Sequence, residues 1–162
     1  MNANAYTATH DPLTRLPNEF LFLDRLNQTL AISERNTNLF ALLLLIPDNL
    51  NKILQLHEPA FCDQLVIRLA ERLQLAFREP DTISRRQDSS FLILMPQIDS
   101  QQALTKLIHR VRKTLAEPFE IDAHGVHMSF SLGKAVYPYD GTTSVLLMEQ
   151  VEADAQASQL SA

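Results

Sequence analysis

Arg78 and Asp81 are the residues of this chain whose types and spacing best suit ligand chemistry. A guanidinium can take a phosphate or the O6/N7 edge of guanine in a bidentate grip, and a carboxylate can accept from the N1–H and N2–H of the same base. The pair stands at the start of the stretch running to Leu94, which reads as a charged helix end, a strand, a tight polar turn and a second, apolar strand. The competing reading is a helix-end ion pair, worth about 0.2–1 kcal/mol. Arg85 and Asp88 repeat the spacing, so the motif gains its weight from position rather than from composition.

Little else in the chain suits catalysis. Nucleophile, base and orienting acid must meet in space, and the five histidines, His10, His57, His109, His124 and His127, sit in unlike places. His124 and His127 flank a predicted turn and could approach one another across it, which two surface imidazoles do more often than a metal site does. Asp48 follows an apolar strand at a carboxyl-end position where α/β sheets bind ligands; as a plain structural residue it would cap the helix that follows. A glycine-rich phosphate loop is excluded, because the three glycines stand apart at positions 125, 133 and 141.

Composition narrows the class further. The 162 residues, 46% hydrophobic and 20% charged, suit one globular domain with a real core. A net charge of −5 argues against a general attraction to nucleic acid or to an anionic membrane. The single cysteine, Cys62, excludes an intrachain disulfide, offers no zinc spacing and fits a reducing, cytoplasmic setting as a small core residue. The longest apolar run, Leu39 to Ile46, is too short to cross a bilayer. Residues 1–9 are polar and alanine-rich and read as the end of a connecting helix or a terminal addition, ahead of a single domain over 10–160.

The elements that must position these residues follow from periodicity. Asn18 precedes a helix carrying Phe20, Leu21, Leu23, Leu26, Leu30 and Ile32, and Leu39–Ile46 is a strand covered on both faces, hence central. A short helix is expected over Asn49–Leu56 and a longer one over Ala60–Phe77, with Phe61, Leu65, Leu69, Leu73 and Phe77 four apart. A hairpin joins Thr82–Arg86 to Ser90–Met95, and Asp99 or Ser100 caps a helix whose Ala103, Leu104, Leu107, Val111 and Leu115 face inward. A second hairpin pairs Phe119–Ile121 with His127–Val136 around Ala123-His124-Gly125, and a helix over Ser144–Ser158 closes the domain. The expected fold is α+β: a sandwich with a central mixed, mostly antiparallel sheet flanked by helices. Its core would hold Leu42, Leu44, Phe61, Leu65, Leu69, Phe91, Ile93 and Phe130.

Two further stretches resemble a known family. His10-Asp11-Pro12-Leu13-Thr14-Arg15-Leu16-Pro17-Asn18 is similar to the D-x-L-T-G-L-P-N opening of the GGDEF (diguanylate cyclase) domain, and Ser129 to Gly141 is similar to its late strand and P-x-D-G turn. The resemblance covers about residues 10–160 and implies a palm-like, nucleotidyl cyclase-like fold. In working members two GTP-loaded domains meet and join their substrates into cyclic di-GMP, with carboxylates holding the metal ions.

The same resemblance implies that this chain has lost that activity. The family's D-x-D falls on Ile46-Pro47-Asp48, and isoleucine cannot ligate a hard cation, which takes oxygen ligands. The Gly-Gly-Asp/Glu-Glu-Phe signature falls on Gln87-Asp88-Ser89-Ser90-Phe91. Paired glycines allow positive φ and close approach to phosphate, and the lost acids would bind metal or take the 3′-hydroxyl proton. A guanine-reading asparagine falls on Leu54 and a phosphate-reaching lysine on Gln159, while Asp63 matches a retained aspartate. Asp88 lies one position ahead of the lost acid, so a shifted turn would restore at most one ligand.

Arg78 begins an R-x-x-D nine residues before the first signature position, where many relatives carry an inhibitory cyclic di-GMP site, and Arg110 is the candidate third member. The resemblance therefore implies a regulatory domain without catalysis, metal or cofactor that binds cyclic di-GMP through Arg78, Asp81 and Arg110. The Tyr137-Pro138-Tyr139-Asp140-Gly141 turn is common where this domain precedes an EAL phosphodiesterase domain, the expected partner in the same chain, with a sensor ahead of Tyr6. Alternatives are a structural module that forms homodimers, a GTP sensor using Asp63, and, least favoured, an active cyclase.

Overall fold

The computed structural model describes residues 3–160, with side chains from Ala5 to Gln159. Its elements in chain order are α1 (Ala3–Thr7), α2 (Glu19–Asn36), β1 (Phe40–Pro47), α3 (Leu50–Leu56), α4 (Pro59–Ala76), β2 (Thr82–Arg85), β3 (Phe91–Met95), α5 (Gln101–Ala116), β4 (Phe119–Ile121), β5 (His124–Val126), β6 (Phe130–Tyr137) and α6 (Ser144–Leu160). Four strands form one sheet in the order β2-β3-β1-β6 with antiparallel ladders, and β4 and β5 form a separate hairpin. A single parallel bridge, Asn18 to Arg85, ties the opening loop to the sheet.

Alternation along the strands divides the core between the two faces. Ala41, Leu43 and Leu45 of β1, with Phe91, Ile93 and Met95 of β3, pack under α4 and α5. Phe40, Leu42 and Leu44, with Leu92 and Leu94, pack under α2 and α6. The central strand is thus apolar on both sides, as its unbroken sequence requires. Gly133 lets α6 press onto β6: a Cβ there would collide with the Val151 carbonyl and the Ala155 backbone. Arg72 of α4 fastens the hairpin by donating to the carbonyls of Thr114, Glu117 and Pro118 while its guanidinium lies 3.6 Å from the centre of the Phe119 ring.

Several expectations need correction. The second hairpin closes at Asp122-Ala123, both with positive φ, which puts His124 and Gly125 inside β5. The strand expected from His127 begins at Phe130 as β6 and joins β1 in the main sheet, while the hairpin partner of β4 is β5, ahead of His127. Phe61 and Phe130 are half-buried and pack at the margin of the core. Ser100 caps α5, accepting from Ala103 N–H. Asp48 caps no helix: Asn49 is the residue ahead of α3, and its side chain bridges to the His127 carbonyl and the Ser129 N–H.

Candidate functional site

A cavity of about 440 Å³ opens between the end of α4, the start of β2 and one face of α5, within the size range of small-ligand sites. Arg78, Asp81 and Arg110 all line it, with Lys106 on the same side and Met95 and Leu107 at the apolar floor. The local chain explains the arrangement. α4 stops at Ala76, and Asp81 Oδ2 accepts from Arg78 N–H at 2.9 Å, closing a tight turn that leaves the Arg78 side chain outside. Arg78 is 65% exposed, and its Nη2 donates to the Gln97 carbonyl and stands 3.7 Å from Asp81 Oδ1.

Asp81 is the opposite case, with only 2% of its side chain exposed. Its Oδ1 is buried and accepts no hydrogen bond among the described residues. A buried acceptor left open costs about 1–3 kcal/mol, which a donor from a bound molecule would recover. Arg110 Nη2 reaches only the Ala76 carbonyl, at 3.4 Å, so most of its donors remain available. The expected ion pair is present, but it is long and half-solvated, and Asp81 Oδ1 keeps an open acceptor beside it.

The region around Asp48 differs. Asp48 Oδ2 accepts from Ser131 Oγ at 2.7 Å, and Oδ1 accepts from Gln159 Nε2 at 2.9 Å. Ile46 is half-buried and packs with the apolar cluster beneath α2 and α6. At the β2–β3 turn, Asp88 Oδ1 accepts from both the N–H and the hydroxyl of Ser90, and Ser89 takes φ 65°. Burial would raise the Asp88 carboxyl, yet the Ser90 hydrogen bonds and the charge of Arg86 outweigh it and hold the group below its ordinary 3.8. Gln87 is exposed, as are Leu54 and Asp63 on α3 and α4.

Arg85 does not pair with Asp88. It reaches Asp11 at 3.1 Å and donates to Ser89 Oγ at 3.0 Å, tying the opening loop to the turn. Asp11 also accepts from the N–H and hydroxyl of Thr14; burial, the largest single effect, would raise its carboxyl, but these bonds and Arg85 together outweigh it and lower the carboxyl. Arg86 is held between Glu19 and Glu152. A divalent cation does not fit this region: one expected carboxylate is an isoleucine, Asp48 is occupied by Ser131 and Gln159, and Asp88 is turned onto its own loop. His57, His124 and His127 line a shallow depression between the α3–α4 turn and the β4–β5 hairpin, and no group of three metal-type ligands forms among the described residues. Sequence reasoning missed Ser131 as a partner of Asp48. It also missed Lys106 and Leu107 at the cavity, although their spacing from Ala103 and Arg110 marks one helix face.

A four-stranded antiparallel sheet with helices on both faces, entered through a wide loop and carrying a polar β2–β3 turn, defines the palm-like class related to nucleotidyl cyclases. The family model described as diguanylate cyclase, GGDEF domain, matches residues 8–161, and the chain belongs to that family. MucR of Pseudomonas aeruginosa, a bifunctional diguanylate cyclase/cyclic di-GMP phosphodiesterase, is 36% identical over 148 residues, 91% of this chain and 21% of MucR. The chain thus spans about a fifth of that relative's length. The GGDEF domain of TpbB (YfiN) from the same species superimposes with a TM-score of 0.91 at 24% identity, covering 94% of this chain and 90% of that one. The coiled-coil and GGDEF portion of DgcB from Caulobacter crescentus, solved with cyclic di-GMP, shares the fold with a TM-score of 0.85 at 20% identity, covering 98% and 84%. No described helix is long and apolar enough to cross a membrane.

Proposed function

We propose that this chain is a catalytically inactive GGDEF domain that binds cyclic di-GMP and thereby controls a domain attached to it, in the parent protein an EAL phosphodiesterase. The observation that carries this reading is the cavity lined by Arg78, Asp81 and Arg110, whose Asp81 holds a buried carboxylate oxygen without a hydrogen-bond donor among the described residues. Guanine supplies the N1–H and N2–H that Asp81 lacks, and Arg78 and Arg110 supply donors for the O6/N7 edge and the phosphates. DgcB in complex with cyclic di-GMP and the bifunctional name of MucR support the ligand class and the attached domain. Loss of turnover follows from Ile46, Ser89 and Ser90 and from the internal bonding of Asp48 and Asp88.

Calorimetric titration of cyclic di-GMP into the domain, with an Arg78→Ala, Asp81→Ala variant alongside, tests the binding. Each charged hydrogen bond is worth about 1.5–3 kcal/mol, so the double variant should lose affinity by about a hundredfold or more. No heat and no thermal shift in the unaltered domain would overturn the reading in favour of a structural or dimerising module. Incubation with GTP and magnesium, followed by chromatography of the nucleotides, tests inactivity; any cyclic di-GMP formed would refute it.

A further inference from the structure

Helix α5 carries a row of cations that extends past the nucleotide cavity. Lys106, Arg110 and Lys113 recur at the spacing of one helix face and span about 10 Å of its axis. All three are exposed, and α5 has no acidic residue to balance them, although the chain as a whole carries a net charge of −5. Lys106 and Lys113 make no hydrogen bond or ion pair among the described residues, and Arg110 has only its long bond to the Ala76 carbonyl. Lys106 and Arg110 line the cavity of about 440 Å³, whereas Lys113 stands a turn further along the helix, outside its lining.

The cavity also has an apolar part. Phe77, Ile98 and Leu107 are only partly buried where they pack against the core, and with Met95 they line it beside the charged groups. Asp99, just ahead of the start of α5, lines the same cavity, so an anionic partner is repelled at that end of the helix and drawn to the Lys113 end. An apolar recess beside a row of cations at helical spacing is complementary to an amphipathic helix that carries a large apolar side chain and acids on one side.

We infer that this face of α5, with the cavity beside it, docks an acidic amphipathic helix of the protein that the domain controls, and that this helix and cyclic di-GMP exclude one another. The exclusion rests on the proposed function; the docking surface does not. The apolar anchor of the helix occupies the recess at Phe77, Ile98 and Leu107, and its acids meet Lys106, Arg110 and Lys113. Both occupants need Arg110 and the same volume, so the nucleotide releases the helix without any change of shape in the domain, and the helix weakens the nucleotide in return. A second copy of this chain is a poorer occupant. Its α6 carries Glu149, Glu152 and Asp154 and no cation, yet Glu152 is paired with Arg86 and Asp154 holds the Lys134 N–H. An anionic bilayer is poorer still, since one short row of cations would have to hold a chain of net charge −5 against it.

The test uses a panel of labelled helical peptides of four turns, each with a Leu, Ile, Phe or Trp anchor and Glu one and two turns from it, beside the same peptides with Lys for Glu. Fluorescence anisotropy should show binding of the acidic set alone. Lys113→Glu should weaken that binding about tenfold or more and leave cyclic di-GMP affinity, read by calorimetry, within about twofold. Added cyclic di-GMP should displace the bound peptide, the apparent Kd of the peptide rising in proportion to the nucleotide. Failure of every acidic peptide to bind, equal binding of the Lys set, or binding of phosphatidylglycerol vesicles in place of the peptides would overturn the docking surface. Peptide retained at saturating nucleotide would overturn the exclusion. A calorimetric blank for cyclic di-GMP would refute the proposed function and the exclusion with it, while acidic-peptide binding that depends on Lys113 would still support the docking surface, so the two failures are told apart.

Discussion

The two polar regions at either end of β2 spend their charges in opposite ways. Beyond the carboxyl end of β1 and at the β2–β3 turn, the side chains bond to one another: Asp48 to Ser131 and Gln159, Asp88 to Ser90, and Arg85 to Asp11 and Ser89. At the amino end of β2, Arg78 is largely solvated, Arg110 is barely engaged, and Asp81 holds a buried oxygen without a donor. A pocket that has satisfied its own groups gains little from a ligand, since binding would first break those bonds. A pocket with open groups gains what folding left unmade. Under the proposed function, this contrast is how one fold would abandon catalysis in one place and keep recognition in another.

The largest effect that would sharpen this contrast is expected at Asp11. Replacing Asp11 by Ala leaves the largely buried Arg85 guanidinium without its counter-charge, a loss of about 3 kcal/mol when the pair is buried. Chemical denaturation should show that loss in stability, while cyclic di-GMP affinity should stay within about twofold. A comparable fall in affinity would mean that the two regions are coupled and that the comparison is drawn too sharply. Arg110→Ala comes next: it should lower cyclic di-GMP affinity about tenfold, one charged contact's worth, and leave stability nearly unchanged because Arg110 gives up only a long bond to Ala76.

How far the sequence foretold these regions depended on whether the signal was local. The central strand, the helix of residues four apart in α4 and the first hairpin are periodic patterns, and they formed within a residue or two of their expected limits. Arg78, Asp81 and Arg110 are singled out by the place of the R-x-x-D relative to the family signature, and they line one cavity. The pairings of Asp48 with Ser131 and Gln159 join residues 83 and 111 positions apart and leave no local trace. The break between β5 and β6 was hidden for a similar reason. β5 stands partly where a turn was expected, and the choice of partner strand, β4 for β5 and β1 for β6, leaves no local signal.

Smaller effects probe the satisfied region from within. Asp48→Ala removes the acceptor of two hydrogen bonds at the surface and should cost about 1 kcal/mol, with no change in cyclic di-GMP binding. If it instead created or abolished nucleotide binding, the region would still be a working pocket.

The smallest effect concerns the acid limb of stability. Asp88 has a folded value below its ordinary 3.8, so its contribution is complete above that ordinary value and is lost as pH falls through the lowered folded value. Asp11 has the same sign, being held down by Thr14 and Arg85 against burial. Unfolding free energy should therefore decline between about pH 5 and about pH 2, and Asp88→Asn should flatten that decline slightly, by less than about 0.5 kcal/mol for so exposed a group. Asn keeps an oxygen for the Ser90 donors but cannot titrate, so the two effects of the substitution separate cleanly. A slope unchanged in the Asn variant would show that the charge on Asp88 is idle. A steeper one would show that the carboxylate is strained against the turn rather than satisfied by it, and the division between a spent and an unspent region would have to be redrawn at that residue.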